Sequence, residues 1–181
     1  MAIVATMVVP APHGCNLSCA GCIIDQRKEG GLYFCSQDYV HFLERILATH
    51  TVSQFAIQGY EPLLPEIFSL TEELLCIAAK KTRTALVTNG VYLKEYASRL
   101  IRVADGVAIS VDSHDATIHD SSRGKSGAWQ ATVDGIYALR ATLAEGDEGN
   151  TIFAGYVDIN SILYPGKINR LRHMPELLVS L

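Results

Sequence analysis

Residues 3–22 read IVATMVVPAPHGCNLSCAGC, an uncharged apolar run that leads into three closely spaced cysteines. The run Ile3–Val9 is rich in valine and isoleucine, which predicts a buried β-strand. Cys15, Cys19 and Cys22 then fall within eight residues. A regular strand points successive side chains to opposite faces, so thiols this close together require a loop. We therefore predict a loop after the first strand that wraps a compact metal centre.

The rest of the chain alternates strand and helix patterns, which predicts a parallel sheet with crossover helices. The predicted strands are 3–9, 54–58, 84–88, 106–111 and 151–159, and the predicted helices are 37–50, 65–81, 92–103, 127–144 and a last one from about residue 168. These strands are apolar throughout, which indicates that both faces of the sheet are covered. The sequence thus predicts one α/β domain over residues 1–181, either an α/β barrel or an open α/β sheet.

Composition narrows the classes of function. The net charge of −4 gives no electrostatic reason to expect nucleic acid or an anionic membrane surface as partner. No apolar run reaches the roughly 18 residues that a membrane helix needs. Five cysteines, three of them crowded together, do not fit a secreted disulfide framework. We expect a cytoplasmic protein with metal-ligating thiolates.

The number of thiolates indicates what kind of metal centre they hold. Thiolates favour soft metals, chiefly zinc and iron–sulfur clusters. A structural zinc ion normally has four protein ligands, and an electron-transfer cluster has four cysteines. Three clustered cysteines leave one coordination position open, as a centre that binds a substrate or cofactor requires. The alternative is a structural zinc knuckle completed by Cys35 or His13, although Cys35 and Cys76 are expected to pack in or near the core.

The C-x-x-x-C-x-x-C spacing resembles the signature of the radical S-adenosylmethionine (radical SAM) superfamily. The resemblance implies that Cys15, Cys19 and Cys22 hold a 4Fe–4S cluster whose fourth iron is chelated by the methionine moiety of S-adenosylmethionine. The family usually has an aromatic residue just before the last cysteine, whereas this chain has Gly21. That difference removes no ligand.

Four further segments resemble motifs of the same family: QGYEPLL (58–64), LVTNG (86–90), VAISVDS (107–113) and IHDSSRGKSGAW (118–129). The cofactor-binding residues that the resemblance implies are Gly59, Tyr60, Glu61, Pro62, Thr88, Asn89, Ser110, Asp112 and Arg123. By the same resemblance, Glu61 or neighbouring carbonyls accept from the ammonium group of the cofactor, and Arg123 pairs with its carboxylate. Ser110 and Asp112 contact its ribose and methionine ends. These motifs fall at the carboxyl ends of the predicted strands, where parallel sheets bind ligands.

The resemblance implies a radical SAM enzyme that reductively cleaves S-adenosylmethionine to a 5′-deoxyadenosyl radical, with no catalytic residues beyond the cluster and cofactor. It is closest to the branch that modifies peptides or proteins. A small-molecule radical enzyme and a catalytically silent cluster- or zinc-binding module are the alternatives. A one-electron reductant such as flavodoxin or ferredoxin is expected as partner.

The family core implies a partial barrel of six βα units, and about five are predicted here. We therefore expect a radical SAM core that is incomplete at its carboxyl end. The fifth strand would then present an open edge, and open edges invite pairing with a partner chain or a second copy.

Overall fold

The computed structural model describes residues 2–9, 11–22, 35–145, 156–162 and 168–180. Five parallel strands form one sheet: β1 (Ile3–Val9), β2 (Val52–Gly59), β3 (Arg83–Thr88), β4 (Gly106–Ser110) and β5 (Tyr156–Asn160). The strand order in the sheet is the chain order, β1-β2-β3-β4-β5. A doubly wound open sheet would reverse its order at a switch point. The unreversed order is that of a partial βα barrel, and it decides between the two predicted architectures.

Burial alternates along the first strand. Val9 is fully buried and Met7 nearly so, whereas Val4 and Val8, whose side chains point to the opposite face, are 67 % and 45 % exposed. The prediction that both faces are covered is therefore wrong at β1. Helices of a singly wound sheet pack on its outer face only, and the inner face of β1 is left open in the part of the chain that the structure describes.

Within the described ranges, six helices and one 3₁₀ turn accompany the strands: α1 (Ser36–Thr49), α2 (Phe68–Ala79), α3 (Leu93–Leu100), α4 (Ala116–Arg123), α5 (Ala128–Glu145), the turn Ile168–Leu171 and α6 (Met174–Ser180). The predicted helices are confirmed, with ends that differ by a few residues. Residues 151–155 of the predicted fifth strand lie outside the described residues. Among the described helices, none has both the length and the apolar character needed to cross a membrane.

Helix α4 was not predicted, although its two ends carry clear signals. Asp115 caps its first turn by accepting a hydrogen bond from the Ile118 amide at 2.9 Å. Gly124 ends the helix with φ +67°, a conformation in which glycine avoids the strain of a side chain. An aspartate before and a glycine after an eight-residue segment is a standard helix signature. The sequence interpretation read residues 118–129 as a family motif and assigned no helix to them.

The outer face of the sheet packs against an aliphatic core. Leu43 of α1, Leu74 of α2 and Leu86 of β3 are buried almost completely. Cys35 is half-buried just before α1, as expected. The expectation that Cys76 packs near the core is wrong, because this thiol is exposed on α2.

Helix α5 approaches α3 and the turn after β3 more closely than a side chain would allow. A Cβ at Gly135 would lie 2.8 Å from the Leu93 Cβ and 3.0 Å from the Gly90 oxygen. Nearby, Thr132 donates a hydrogen bond from its hydroxyl to the Asn89 carbonyl at 2.9 Å. This close packing fixes the turn that carries Asn89.

The close packing predicts that Gly135→Ala destabilises the fold, the opposite of its usual effect in a helix. At an open helix position the change should stabilise the fold by up to about 1 kcal/mol, because alanine is the better helix former. Here overpacking against Leu93 should instead lower the free energy of unfolding by about 1–3 kcal/mol. Urea denaturation of the wild type and of the variant measures this difference in the free energy of unfolding. A variant more stable than the wild type would contradict the close approach of α5.

Candidate functional site

The cysteine loop is held against the carboxyl end of α4. The Ser18 amide donates to the Arg123 carbonyl and the Ala20 amide to the Ser122 carbonyl, each at 3.1 Å. The Ser18 hydroxyl donates to the Gly124 carbonyl at 3.1 Å. A Cβ at Gly124 would collide with the backbone and hydroxyl of Ser18. Helix α4 therefore ends in a glycine for two reasons, its backbone conformation and the room that the loop needs.

The three thiols line one cavity of about 400 Å³ at the carboxyl ends of β2, β3 and β4. Cys15 and Cys19 are half-buried and Cys22 is exposed. Desolvation raises the pKa of the Cys15 thiol to about 11, although hydrogen bonds from Leu17 and Asn89 act in the opposite direction. Among the described residues, no three histidine, cysteine or acidic side chains are arranged to hold a single metal ion. Neither Cys35 nor His13, the predicted fourth ligands of a zinc knuckle, lines this cavity.

Seven of the nine predicted cofactor residues line the same cavity. They are Gly59, Tyr60, Glu61, Thr88, Asn89, Ser110 and Arg123. Pro62 and Asp112 do not line it; Asp112 is buried behind the wall. The structure thus brings together residues from three strand ends and one helix end, separated by as many as 64 positions in the chain.

Glu61 joins the end of β2 to the end of β3. Its buried carboxylate accepts hydrogen bonds from the Thr88 hydroxyl at 2.6 Å and the Asn89 amide at 2.7 Å. It also accepts from the Leu63 amide at 2.9 Å. Desolvation raises the pKa of Glu61, and these three hydrogen bonds oppose that shift. Most of the acceptor capacity of this carboxylate is thus used within the protein.

Asn89 extends this network to the cysteine loop. Its side-chain nitrogen donates to the Asn16 oxygen at 2.8 Å and lies 3.7 Å from the Cys15 sulfur. Its side-chain oxygen accepts from the Val91 amide at 3.0 Å. The orientation of the amide is therefore fixed at both ends, with its donor directed toward a cysteine.

Asp112 and Arg123 form a buried ion pair beside the loop. The Arg123 Nη2 atom donates to the Asp112 Oδ1 atom at 2.8 Å, and both side chains are more than nine-tenths buried. The second carboxylate oxygen of Asp112 accepts from the Ser122 hydroxyl at 2.7 Å. The Nη1 atom of Arg123 donates to the Cys19 sulfur at 3.9 Å. Arg123 thus places a protein donor beside the Cys19 sulfur, as Asn89 does beside the Cys15 sulfur.

His119 supports the ion pair through the backbone amide of Asp112. Its Nδ1 atom accepts a hydrogen bond from the Asp112 amide at 3.2 Å, and its ring is almost fully buried. Desolvation, helped by the Arg123 charge, lowers its pKa to about 4. A neutral ring at physiological pH is consistent with its acceptor role. Asp120, which follows it, accepts from the Gly127 and Trp129 amides at the start of α5.

The structure therefore combines a parallel partial barrel with one cavity that the cysteine loop and the strand ends share. The profile of the radical SAM superfamily matches residues 9–152, and the chain belongs to this superfamily. Membership implies a 4Fe–4S cluster and S-adenosylmethionine as cofactors.

Two curated proteins are similar to this chain in sequence. The AdoMet-dependent heme synthase of Methanosarcina barkeri is 29% identical over 133 residues, which are 70% of this chain and 36% of that protein. The antilisterial bacteriocin subtilosin biosynthesis protein AlbA of Bacillus subtilis is 29% identical over 131 residues, 70% of this chain and 28% of that protein. The chain thus spans about a third of the length of these relatives.

Solved structures share the fold. The histidine-tagged form of anSMEcpe with bound AdoMet superposes with a TM-score of 0.68 at 21% identity, covering 97% of this chain and 46% of that one. SuiB of Streptococcus suis bound to the precursor peptide SuiA gives a TM-score of 0.72 at 14% identity, covering 99% of this chain and 38% of that one. At these identities the likeness establishes the fold, and the predicted partial barrel is confirmed.

The buried His119 ring predicts a pH dependence of stability. Its pKa is lowered from 6.5 in the unfolded chain to about 4 in the folded protein, so between these values the unfolded chain binds more protons. The stability contribution is complete above pH 6.5 and is lost as the pH falls toward 4. His119→Gln, whose side-chain oxygen can still accept from Asp112, should reduce this loss by a few kcal/mol.

Urea unfolding at pH 7 and at pH 4.5 tests the effect of His119. The difference between wild type and variant isolates this group, because other titrating residues contribute to both proteins. Replacement of the exposed His41 by glutamine is the matched control. An equal loss of stability in all three proteins would contradict the role given to His119.

Proposed function

We propose that Cys15, Cys19 and Cys22 hold a 4Fe–4S cluster and that S-adenosylmethionine binds in the adjoining cavity. The observation that carries this proposal is the shared cavity, in which the three thiols meet the carboxyl ends of β2, β3 and β4. Its 400 Å³ volume is within the range of small-molecule sites. The soft donor set fits an iron–sulfur cluster, and three cysteines leave one iron open for the cofactor.

The cavity wall supplies the proposed cofactor contacts. Gly59 and Tyr60 provide backbone and ring surface at the end of β2, and Ser110 provides a hydroxyl at the end of β4. Glu61 retains limited acceptor capacity, so neighbouring carbonyls are the stronger candidates for the ammonium group. Thr88 and Asn89 in the wall, and Pro62 and Asp112 outside it, are proposed to shape the site.

The proposed chemistry is reductive cleavage of the cofactor. Cys15, Cys19 and Cys22 would hold the cluster, which when reduced would supply the one electron needed to cleave S-adenosylmethionine to methionine and a 5′-deoxyadenosyl radical for hydrogen abstraction from a substrate. The chain itself orients the cofactor beside the cysteine loop and limits water around it. An enzymatic role is therefore proposed for this chain, with no additional catalytic side chain.

A peptide or protein is the proposed substrate class. Two similar proteins support it: AlbA, named for subtilosin biosynthesis, and SuiB, whose solved structure contains the precursor peptide SuiA. The second candidate is a small-molecule substrate, supported by the heme synthase at the same 29% identity. Incubation of the reconstituted protein with candidate precursor peptides, followed by mass spectrometry for a loss of hydrogen, distinguishes the two classes.

Several partner and location statements belong to the same proposal. A flavodoxin or ferredoxin would supply the electron, and the cytoplasm would keep the thiols reduced. In the described sheet β5 pairs only with β4, so pairing of its other edge with a partner chain or second copy stays a prediction. A silent zinc-binding module would contain zinc without sulfide, and a silent cluster-binding module would not cleave the cofactor.

Metal analysis tests the cluster. Anaerobically reconstituted protein should bind about four iron and four sulfide per chain. Any one of Cys15→Ala, Cys19→Ala and Cys22→Ala should abolish this loading, because each removes one of three ligands. The exposed Cys76→Ala is the matched control and should load fully. Full loading of the Cys19→Ala variant would refute the ligand assignment.

Calorimetry tests the cofactor site. Ser110→Ala removes one hydroxyl from the cavity wall and should weaken S-adenosylmethionine binding about three- to tenfold, the worth of one neutral hydrogen bond. Iron content should not change. Ser121→Ala, on the exposed surface of α4, is the control. Equal affinity in all three proteins would remove Ser110 from the site.

A further inference from the structure

The guanidinium of Arg123 lies between two negatively charged or chargeable groups. Its Nη2 atom donates to Asp112 at 2.8 Å and its Nη1 atom to the Cys19 sulfur at 3.9 Å. The Nε atom has no hydrogen-bond partner among the described residues. Arg123 also lines the cavity that the three thiols share. The side chain therefore links a buried carboxylate to one particular cysteine.

The structure holds this cation firmly in place. Asp112, its counter-ion, also accepts from the Ser122 hydroxyl and from the Ile162 amide at 3.2 Å. The Arg123 carbonyl accepts the Ser18 amide, so the same residue positions the cysteine loop through its backbone. Burying a charge is costly unless it is paired and hydrogen-bonded. The fold compensates this cost with Asp112 and thereby holds a positive charge next to Cys19, whose thiolate would be negatively charged.

The three cysteines therefore have different surroundings. Cys19 faces a cation, Cys15 faces the neutral amide of Asn89, and Cys22 is exposed. Donors to cluster sulfurs, net charge and solvent exposure are the variables by which a protein sets a cluster's reduction potential. A cation acts more strongly than an amide, because hydrogen bonds from charged donors are roughly twice as strong.

We infer that Arg123 is a positioning residue that raises the reduction potential of the cluster through its contact with Cys19, with Asp112 holding its guanidinium in place. This inference rests on the proposed function. Reduction adds one negative charge to the cluster, and a fixed positive charge at Cys19 favours that state. Pairing with the carboxylate of the cofactor, the role that the family resemblance implies for Arg123, would instead affect cofactor affinity.

The test uses two variants and a control. Arg123→Lys keeps the positive charge, but a lysine lacks the two guanidinium nitrogens with which Arg123 contacts Asp112 and Cys19 at the same time. The double change Asp112→Asn with Arg123→Gln removes both charges together, so no buried charge is left unpaired. Arg140→Lys, on the exposed face of α5, is the control. Iron and sulfide content is measured first, and then a potentiometric titration followed by electron paramagnetic resonance without S-adenosylmethionine.

The neutral double variant should load its cluster and show a more negative potential. At a fixed ambient potential, its ratio of reduced to oxidised cluster should fall about tenfold, which corresponds to about 59 mV for a one-electron couple. Arg123→Lys should shift in the same direction by less, and Arg140→Lys should match the wild type.

Two results would overturn the inference. One is a wild-type potential in every loaded variant. The other is a wild-type potential together with a tenfold loss of S-adenosylmethionine affinity, which would assign Arg123 to the cofactor carboxylate. If the double variant does not fold, the potential of Arg123→Lys decides. Failure of the wild-type chain to bind iron would instead refute the proposed function, so the two failures are distinguishable.

Discussion

The hydrogen bonds that the buried Glu61 carboxylate accepts from β3 are the interaction on which the site depends. Parallel strands end at the same edge of a sheet, but a specific contact is needed to fix the residues after one strand relative to those after the next. Glu61 provides it by binding the Thr88 hydroxyl and the Asn89 amide. Asn89 in turn reaches the cysteine loop at Asn16 and Cys15. The position of the first cysteine thus follows from a carboxylate at the end of β2 that acts through the end of β3.

A second carboxylate serves the other side of the loop. Asp112 lies just beyond β4 and binds Arg123, whose guanidinium reaches Cys19. The backbone of the same helix end accepts the Ser18 and Ala20 amides. A loop with no regular secondary structure is therefore held at two points, each anchored by a buried acid at a strand end. Such anchoring positions the loop that carries the three cysteines.

Much of this arrangement could be predicted from the sequence, because it depends on order along the chain. Apolar runs that alternate with helical patterns give the parallel sheet, and the cysteine spacing gives the loop. The internal use of Glu61 and Asp112 could not be predicted. A carboxylate after a strand reads the same whether it faces a ligand or a neighbouring amide, and tertiary packing decides between them. Helix α4 was predictable from Asp115 and Gly124, but its role as the support of the loop depends on a contact between residues 106 positions apart.

Each buried acid lowers the stability of the fold, and it does so less the better its charge is compensated. Removing a carboxylate from water is costly, and only hydrogen bonds and counter-ions offset the loss of hydration. Glu61 has three donors and a distant cation, whereas Asp112 has a direct ion pair. An aliphatic residue at either position would pack without this cost. In place of Glu61, however, it would leave the backbone amide of Asn89 without its acceptor, and in place of Asp112 it would leave the Arg123 guanidinium without its counter-ion. The sequence has the costlier acidic residues at the two places where a polar side chain is directed at a cysteine. At these places the orientation of that side chain matters more to the site than the stability that is lost.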